Sequence, residues 1–239
     1  MRAFAFCCLL VSATAQASMV IDDFNGPDFS LCVNAVGCES ELDVLVDQVA
    51  GAWGLRDSRI GITARTDPQG DPDLPGSFSV SGGVAQVHVD SLGMSVDPAD
   101  DFNKVDLAYN IPLPNQDVTA SGDRFLIDLT QSNLGARTAT LTLDISGPSG
   151  QGGQASVLIS TAGTYSVLFA DFVGTVPEFA LLDLRGLLLI VDLQDAIGNE
   201  AIDLTFDNFR VGTVPLPASI WLLAVALGAT LRLAARGRR

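Results

Sequence analysis

From Thr138 to Ile145 apolar and polar residues alternate without a break, with Ala139, Leu141, Leu143 and Ile145 on one side and Thr138, Thr140, Thr142 and Asp144 on the other. A period of two is that of a strand with one face in a core and one in water; a helix would scatter these residues around its circumference. The same period recurs at Ala85–Asp90 and Ile202–Asp207. Further strands are expected near Val20–Phe24, Arg59–Ala64, Phe78–Ser81, Val105–Tyr109, Phe125–Leu129, Ala155–Ser160, Tyr165–Phe169 and Leu184–Val191. Gly82-Gly83, Gly147-Pro148 and Gly152-Gly153 punctuate them as turns. This makes about ten short strands, which predicts an all-β fold, an antiparallel β-sandwich of jelly-roll type. Glu41–Val49 fits both a helical face and a strand and is read as strand. In the last strand the apolar phase shifts from Ile202, Leu204 and Phe206 to Phe209 and Val211. That shift predicts a bulge at Asp207-Asn208 that re-aims the Asp207 side chain.

The two ends carry addresses instead of strands. Met1-Arg2, the apolar run Ala3–Ala13 and the small-x-small site Ala15-Gln16-Ala17 form an export signal over residues 1–17. Neither Phe6-Cys7 nor Cys7-Cys8 offers the small residue that a lipoprotein signal needs before its cysteine. At the other end, within 213–239, Val214–Leu231 carries no charge over 18 residues and Arg232, Arg236, Arg238 and Arg239 follow. As a helix, such a run spans about 27 Å, close to a bilayer's hydrocarbon thickness. Between the addresses, residues 18–212 form one domain-sized body. It holds all 28 acids against eight basic residues, a balance of −20. The positive-inside rule then puts the acidic body outside and the arginine end in the cytoplasm. So acidic a body repels nucleic-acid phosphates and anionic lipid, so no nucleic-acid partner is expected.

Reactive groups are sparse. Cys32 and Cys38, the two cysteines left after signal removal, are expected to close a small disulfide loop in an oxidising compartment. His88 is the single histidine, and by alternation Gln86 and Asp90 share its face. A base with an orienting carboxylate would give that pattern, and so would the solvated face of a sandwich. With no Gly-x-Ser-x-Gly elbow, phosphate loop or zinc pair in the chain, the solvated face is the expected reading, and no catalytic residue is assigned. Of the 28 acids, 24 are aspartates, read as turn and solvation chemistry; a glycosidase would need two of them across a cleft. Asp67, Asp71 and Asp73, and Asp97, Asp100 and Asp101, crowd carboxylates as a calcium site would, without matching an EF-hand loop. Trp53, Tyr109 and Tyr165 are the aromatics that could stack on a sugar ring, and core packing is the expected role of each. Trp221 sits where an interfacial indole belongs.

Val214-Pro215-Leu216-Pro217-Ala218, followed by Ile220-Trp221-Leu222-Leu223 and ending in Arg236-Gly237-Arg238-Arg239, resembles the VPLPA variant of the PEP-CTERM sorting signal. That resemblance covers the last 26 residues. It implies an exosortase-type processing enzyme as partner, passage through the inner membrane, removal of the helix, and a final place at the cell surface or in the extracellular matrix. Leu216 replaces the glutamate of the name-giving motif, as is usual in this branch, and Arg232 enters the helix end early. The body is similar to galactose-binding-like jelly rolls in Val20–Phe24 and Leu204–Val211. In several such families acids near both termini hold structural calcium, which makes Asp22, Asp23 and Asp207 the candidate ligands. The chain is thus expected to be an exported structural, adhesive or glycan-binding protein, touching exopolysaccharide, and not an enzyme. A secreted glycan-active enzyme and a permanently anchored periplasmic protein are the competing readings.

Overall fold

The computed structural model describes residues 18–26, 28–33, 46–50, 54–62, 76–89, 103–110, 116–193, 195–196 and 200–213. The expected export signal, Cys38, Trp53, Asp90, both acidic segments at 67–73 and 97–101, and the expected sorting motif with its apolar run lie outside the described residues. The chain forms β1 (Met19–Asp22), β2 (Phe29–Val33), β3 (Val46–Ala50), β4 (Gly54–Ile62), β5 (Gly76–Ser81), β6 (Val84–Val89) and β7 (Asn103–Asn110). It continues with β8 (Arg124–Ser132), β9 (Ala139–Ser146), β10 (Gly152–Ile159), β11 (Gly163–Leu168), β12 (Val173–Thr175), α1 (Pro177–Leu182), β13 (Gly186–Asp192) and β14 (Ile202–Gly212).

These strands make two seven-stranded sheets. The first runs β11-β8-β14-β6-β5-β2, with β1 on β14; the second runs β12-β10-β9-β13-β7-β4-β3. Every pairing is antiparallel, and the chain crosses repeatedly from one sheet to the other, as a jelly roll does. The expected all-β sandwich is present. Phe78, Val87, Phe125, Leu129, Phe206 and Phe209 from the first sheet meet Leu107, Tyr109, Leu141, Leu143, Leu187 and Leu189 from the second in one buried core. Each such side chain contributes roughly 1.5–3 kcal/mol through the apolar area it withdraws from water.

The alternation at Thr138–Ile145 works as read, since Ala139, Leu141, Leu143 and Ile145 are buried and Asp144 is exposed. Thr142 departs from it, being 8% exposed, and its hydroxyl pairs with that of Ser156 on β10 at 2.9 Å. Of the ambiguous Glu41–Val49 segment, the part from Val46 onward falls in strand β3, and residues 41–45 lie outside the described residues. Three elements have no counterpart in the sequence reading: β2, β12 and α1. β12 has three exposed residues and α1 six in all, too few for either periodicity to register.

The expected bulge is found. Asp207 pairs with Asp128 and Arg210 with Leu126, so β14 holds one residue more than β8 there, and Asn208 takes a left-handed φ of 51°. β14 also fixes the two ends of the sandwich. Its start lies beside Val89 of β6 and Ser132 of β8, and its finish beside Arg124 of β8 and Met19 of β1. Gly122 meets the finishing end so closely that a Cβ there would fall 2.3 Å from the Gly212 carbonyl oxygen.

Candidate functional site

The outer face of the first sheet carries rows of polar side chains set by strand register. Ser77, His88 and Asp203 lie in one row, and Ser79, Gln86, Thr205 and Gln131 in the next. Neighbouring strands are about 4.8 Å apart, so the Gln86 and Gln131 backbones stand roughly 10 Å apart with Thr205 between them. At the start of β14 these rows open into a groove of about 420 Å³ lined by Gln86, Val87, His88, Gln131, Ser132, Asn133, Asp203, Leu204 and Thr205.

One wall of the groove is a connected polar network. His88 Nδ1 lies 2.6 Å from Asp203 Oδ1, and an ionised carboxylate only accepts, so Nδ1 carries the proton. The other carboxylate oxygen, Oδ2, accepts from Asn133 Nδ2 at 2.8 Å. The Asp203 backbone N–H donates to Asn133 Oδ1 at 2.7 Å, and the Asn133 N–H returns a bond to the Asp203 carbonyl at 3.2 Å. With both faces of its amide engaged, Asn133 holds Asp203 in one orientation. His88 and Asp203 side chains remain 41% and 59% exposed, so the pair meets solvent and any ligand in the groove.

Arg137 braces this wall from behind. Its guanidinium donates to the carbonyls of Asn133, Leu134, Ala196, Glu200 and Ala201, tying the β8–β9 loop to the approach of β14. Ser132 is committed too, donating to the Ser160 carbonyl at 2.7 Å and accepting from the Leu134 N–H at 3.3 Å.

Farther along the same face, Asp128 accepts from Arg210 Nη1 and Thr164 Oγ1, each at 2.6 Å, and from Asn208 Nδ2 at 3.2 Å. Burial pushes the Asp128 carboxyl up, but the hydrogen bonds from Arg210, Thr164 and Asn208 and the Arg210 charge outweigh it, so it titrates below the usual carboxylate range. The bulge at Asn208 is what brings that amide to Asp128.

Of the other described sequence-derived residues none lines the groove, and β1 sets Asp22 opposite Phe209, two residues from Asp207. Asp22 is 1% exposed and accepts from the Phe24 N–H at 2.8 Å and the Tyr109 hydroxyl at 3.0 Å. Asp23 accepts from the Asn25 N–H, and Asp207 stands on β14 opposite Asp128. Among the described residues no three His, Cys, Asp or Glu side chains converge as metal ligands would. Cys32 lies on β2 opposite Ser77. Tyr109 is buried in the core, and Tyr165 packs against it while its hydroxyl donates to the Thr161 carbonyl at 2.7 Å. Burial raises the Tyr165 phenol, and the backbone N–H groups of Ser160 and Thr161 that point at its oxygen more than reverse this, leaving it below the usual tyrosine value. Sequence reasoning placed His88 on the outer face and read Ile202–Asp207 as a strand. It did not pair the two strands, so it missed Asp203 and Asn133.

Neither the protein-family models nor the curated proteins give a match to this chain. Among solved structures it is similar to the family 11 carbohydrate-binding module from Clostridium thermocellum in complex with a β-1,3-1,4-mixed-linked tetrasaccharide. That match has 13% identity and a TM-score of 0.40, over 85% of this chain and 100% of that one. It is also similar to a thermostable cellulase derived from the Cel12A cellulase of Rhodothermus marinus, at 12% identity and TM-score 0.41, over 77% and 100% of the two chains. An agarase is similar over 59% of this chain, at 11% identity and TM-score 0.37, and the chain spans only 22% of that protein's length. At these identities the likeness concerns the fold alone.

Proposed function

We propose that this protein is an exported glycan-binding β-sandwich whose ligand lies in the groove at the start of β14. The observation that carries this reading is the lining itself. Amide, hydroxyl, imidazole and carboxylate groups converge on an open groove. Between them such groups supply both donors and acceptors, which is what a chain of sugar hydroxyls requires of a partner. The groove's one described carboxylate, Asp203, is shared with His88 and Asn133, and the body's −20 balance disfavours acidic polymers, so the ligand is a neutral polysaccharide.

Binding without catalysis is the favoured form. Glycoside hydrolysis uses two carboxyl groups roughly 5–9.5 Å apart, and among the described residues of the groove Asp203 stands without a second. The test is retention of the full-length chain by a panel of neutral β-glucans and galactans in affinity electrophoresis. One member is expected to retard it, and Gln86→Ala with Gln131→Ala to weaken that retention about tenfold, the value of one or two lost hydrogen bonds. Retention by none of the panel would sink the glycan reading; new reducing ends in the retained polysaccharide would replace it with an enzymatic one.

Export and tail processing are part of the same proposal. The signal over residues 1–17, the acidic body and the four arginines after Leu231 require one orientation in the inner membrane. Through its likeness to a sorting signal, Val214–Ala218 is the recognition site for an exosortase-type enzyme. Intact mass of the protein from its host decides: a species retaining both Trp221 and Arg239 throughout rules processing out.

A further inference from the structure

Five large apolar side chains are exposed among the described residues: Leu158, Val173, Val176, Phe179 and Leu182. Leu158 stands by itself on the second sheet, but the other four follow one another through β12 and α1, with exposures of 80%, 43%, 52% and 47%. Their position in the fold is specific. β12 pairs with the Gly152–Gln154 end of β10, and that end lies beside Ser146 of β9, Gly186 of β13 and Asn110 of β7.

This is the finishing end of β14. The Gly212 carbonyl accepts from the Asp123 N–H, the Asp123 carbonyl accepts from the Phe169 N–H just before β12, and the Val118 N–H donates to the Leu181 carbonyl of α1. Ser18 is at the same end, 3.5 Å from where a Cβ on Gly212 would lie. The chain therefore leaves the sandwich at Thr213, at the same end as this apolar surface, and the uncharged run of 18 residues begins at the next position. With no spacer between them, a bilayer crossed by that run lies against the finishing end. Val176 adds a second sign. It is β-branched yet held at φ 43° and ψ 58°, a left-handed conformation that such side chains rarely adopt and that clusters at functional sites.

We propose that Val173, Val176, Phe179 and Leu182 form a membrane-docking surface that seats the finishing end of the sandwich in the headgroup region of a neutral bilayer. Charge selects neutral lipid. Asp171 and Glu178 flank the surface, while Arg124 and Arg185 are each paired with an aspartate, Asp123 and Asp183. The inference rests on the tail reading above for where the bilayer lies.

Bromolipid quenching tests it, using the full-length chain in phosphatidylcholine vesicles on a Trp53→Phe background. The remaining Trp221 reports whether the tail inserts. Phe179→Trp, and separately Val173→Trp, report the surface, and Gln86→Trp the opposite end. Emission added at 179 and 173 is expected to fall at least about twofold in brominated vesicles, as for an interfacial indole, and emission added at 86 to stay unchanged. Unquenched emission at both 179 and 173 overturns the docking surface, whatever Trp221 does. Quenched Trp221 in that case keeps the tail reading, and unquenched Trp221 removes it as well. Quenching at 179 or 173 with Trp221 silent supports docking and discards the tail.

Discussion

The Tyr109 hydroxyl of the second sheet donates to the buried Asp22 carboxylate of the first at 3.0 Å. The same carboxylate accepts from the Phe24 N–H, and Phe24 is itself fully buried at a left-handed φ of 53°. One acid thus links the two layers and fixes the turn that leaves β1. Tyr109→Phe is expected to cost about 1–3 kcal/mol, since it withdraws a hydrogen-bond donor from a buried carboxyl group, and Asp22→Ala more, since it also frees the turn. Urea denaturation measures both; equal stability of Tyr109→Phe and the parent would remove the link.

Asp128 gives the fold an acid limit. Its folded carboxyl titrates below the unfolded one, so between the two values the unfolded chain binds more protons. Its contribution is complete above about pH 4 and is lost as pH falls toward and through the folded value. With the side chain 23% exposed, Asp128→Asn is expected to cost about 1–2 kcal/mol at pH 7 and progressively less as pH falls below about 4. Melting curves of the two proteins across that range should converge on acidification.

Arg137 acts through geometry as well as charge. Five carbonyls share one planar guanidinium, a pattern that the three donors of a lysine cannot copy. Arg137→Lys is expected to lose about 2 kcal/mol and to weaken groove binding, because Asn133 loses its brace. A lysine variant as stable and as retentive as the parent would contradict this.

Val176 predicts the opposite sign. Replacing it with glycine or asparagine, which tolerate the left-handed region, is expected to raise the melting temperature by about 2–4 °C for each kcal/mol of strain relieved. The same change should weaken docking on phosphatidylcholine vesicles. A gain in stability paired with a loss of membrane contact is the outcome to look for.

Much of the body was legible because its strands are half-buried. Ala139, Leu141, Leu143 and Ile145 announce a core face by spacing alone, and the phase change after Phe206 announces the bulge at Asn208. The groove was not legible, for a physical reason. His88 and Asp203 are 115 residues apart and meet only because β6 pairs with β14 in one particular register. Asn133 belongs to a loop whose course is set by Arg137 and by carbonyls beyond residue 195, information that no local pattern contains. The β12–α1 surface was hidden differently, because three exposed strand residues and six helical ones produce no periodic signal.

β14 spans the sandwich, with Asp203, Leu204 and Thr205 near its start and Gly212 at its finish, about 25 Å away at ~3.3 Å per residue. A tug between something held in the groove and a tether beyond Thr213 would therefore run lengthwise through this strand. Its ladders with β6, β8 and β1 lie across that direction, so their hydrogen bonds would carry the load together instead of opening one by one. The strand that places the groove and the exit at opposite ends is, mechanically, a clamp loaded in shear.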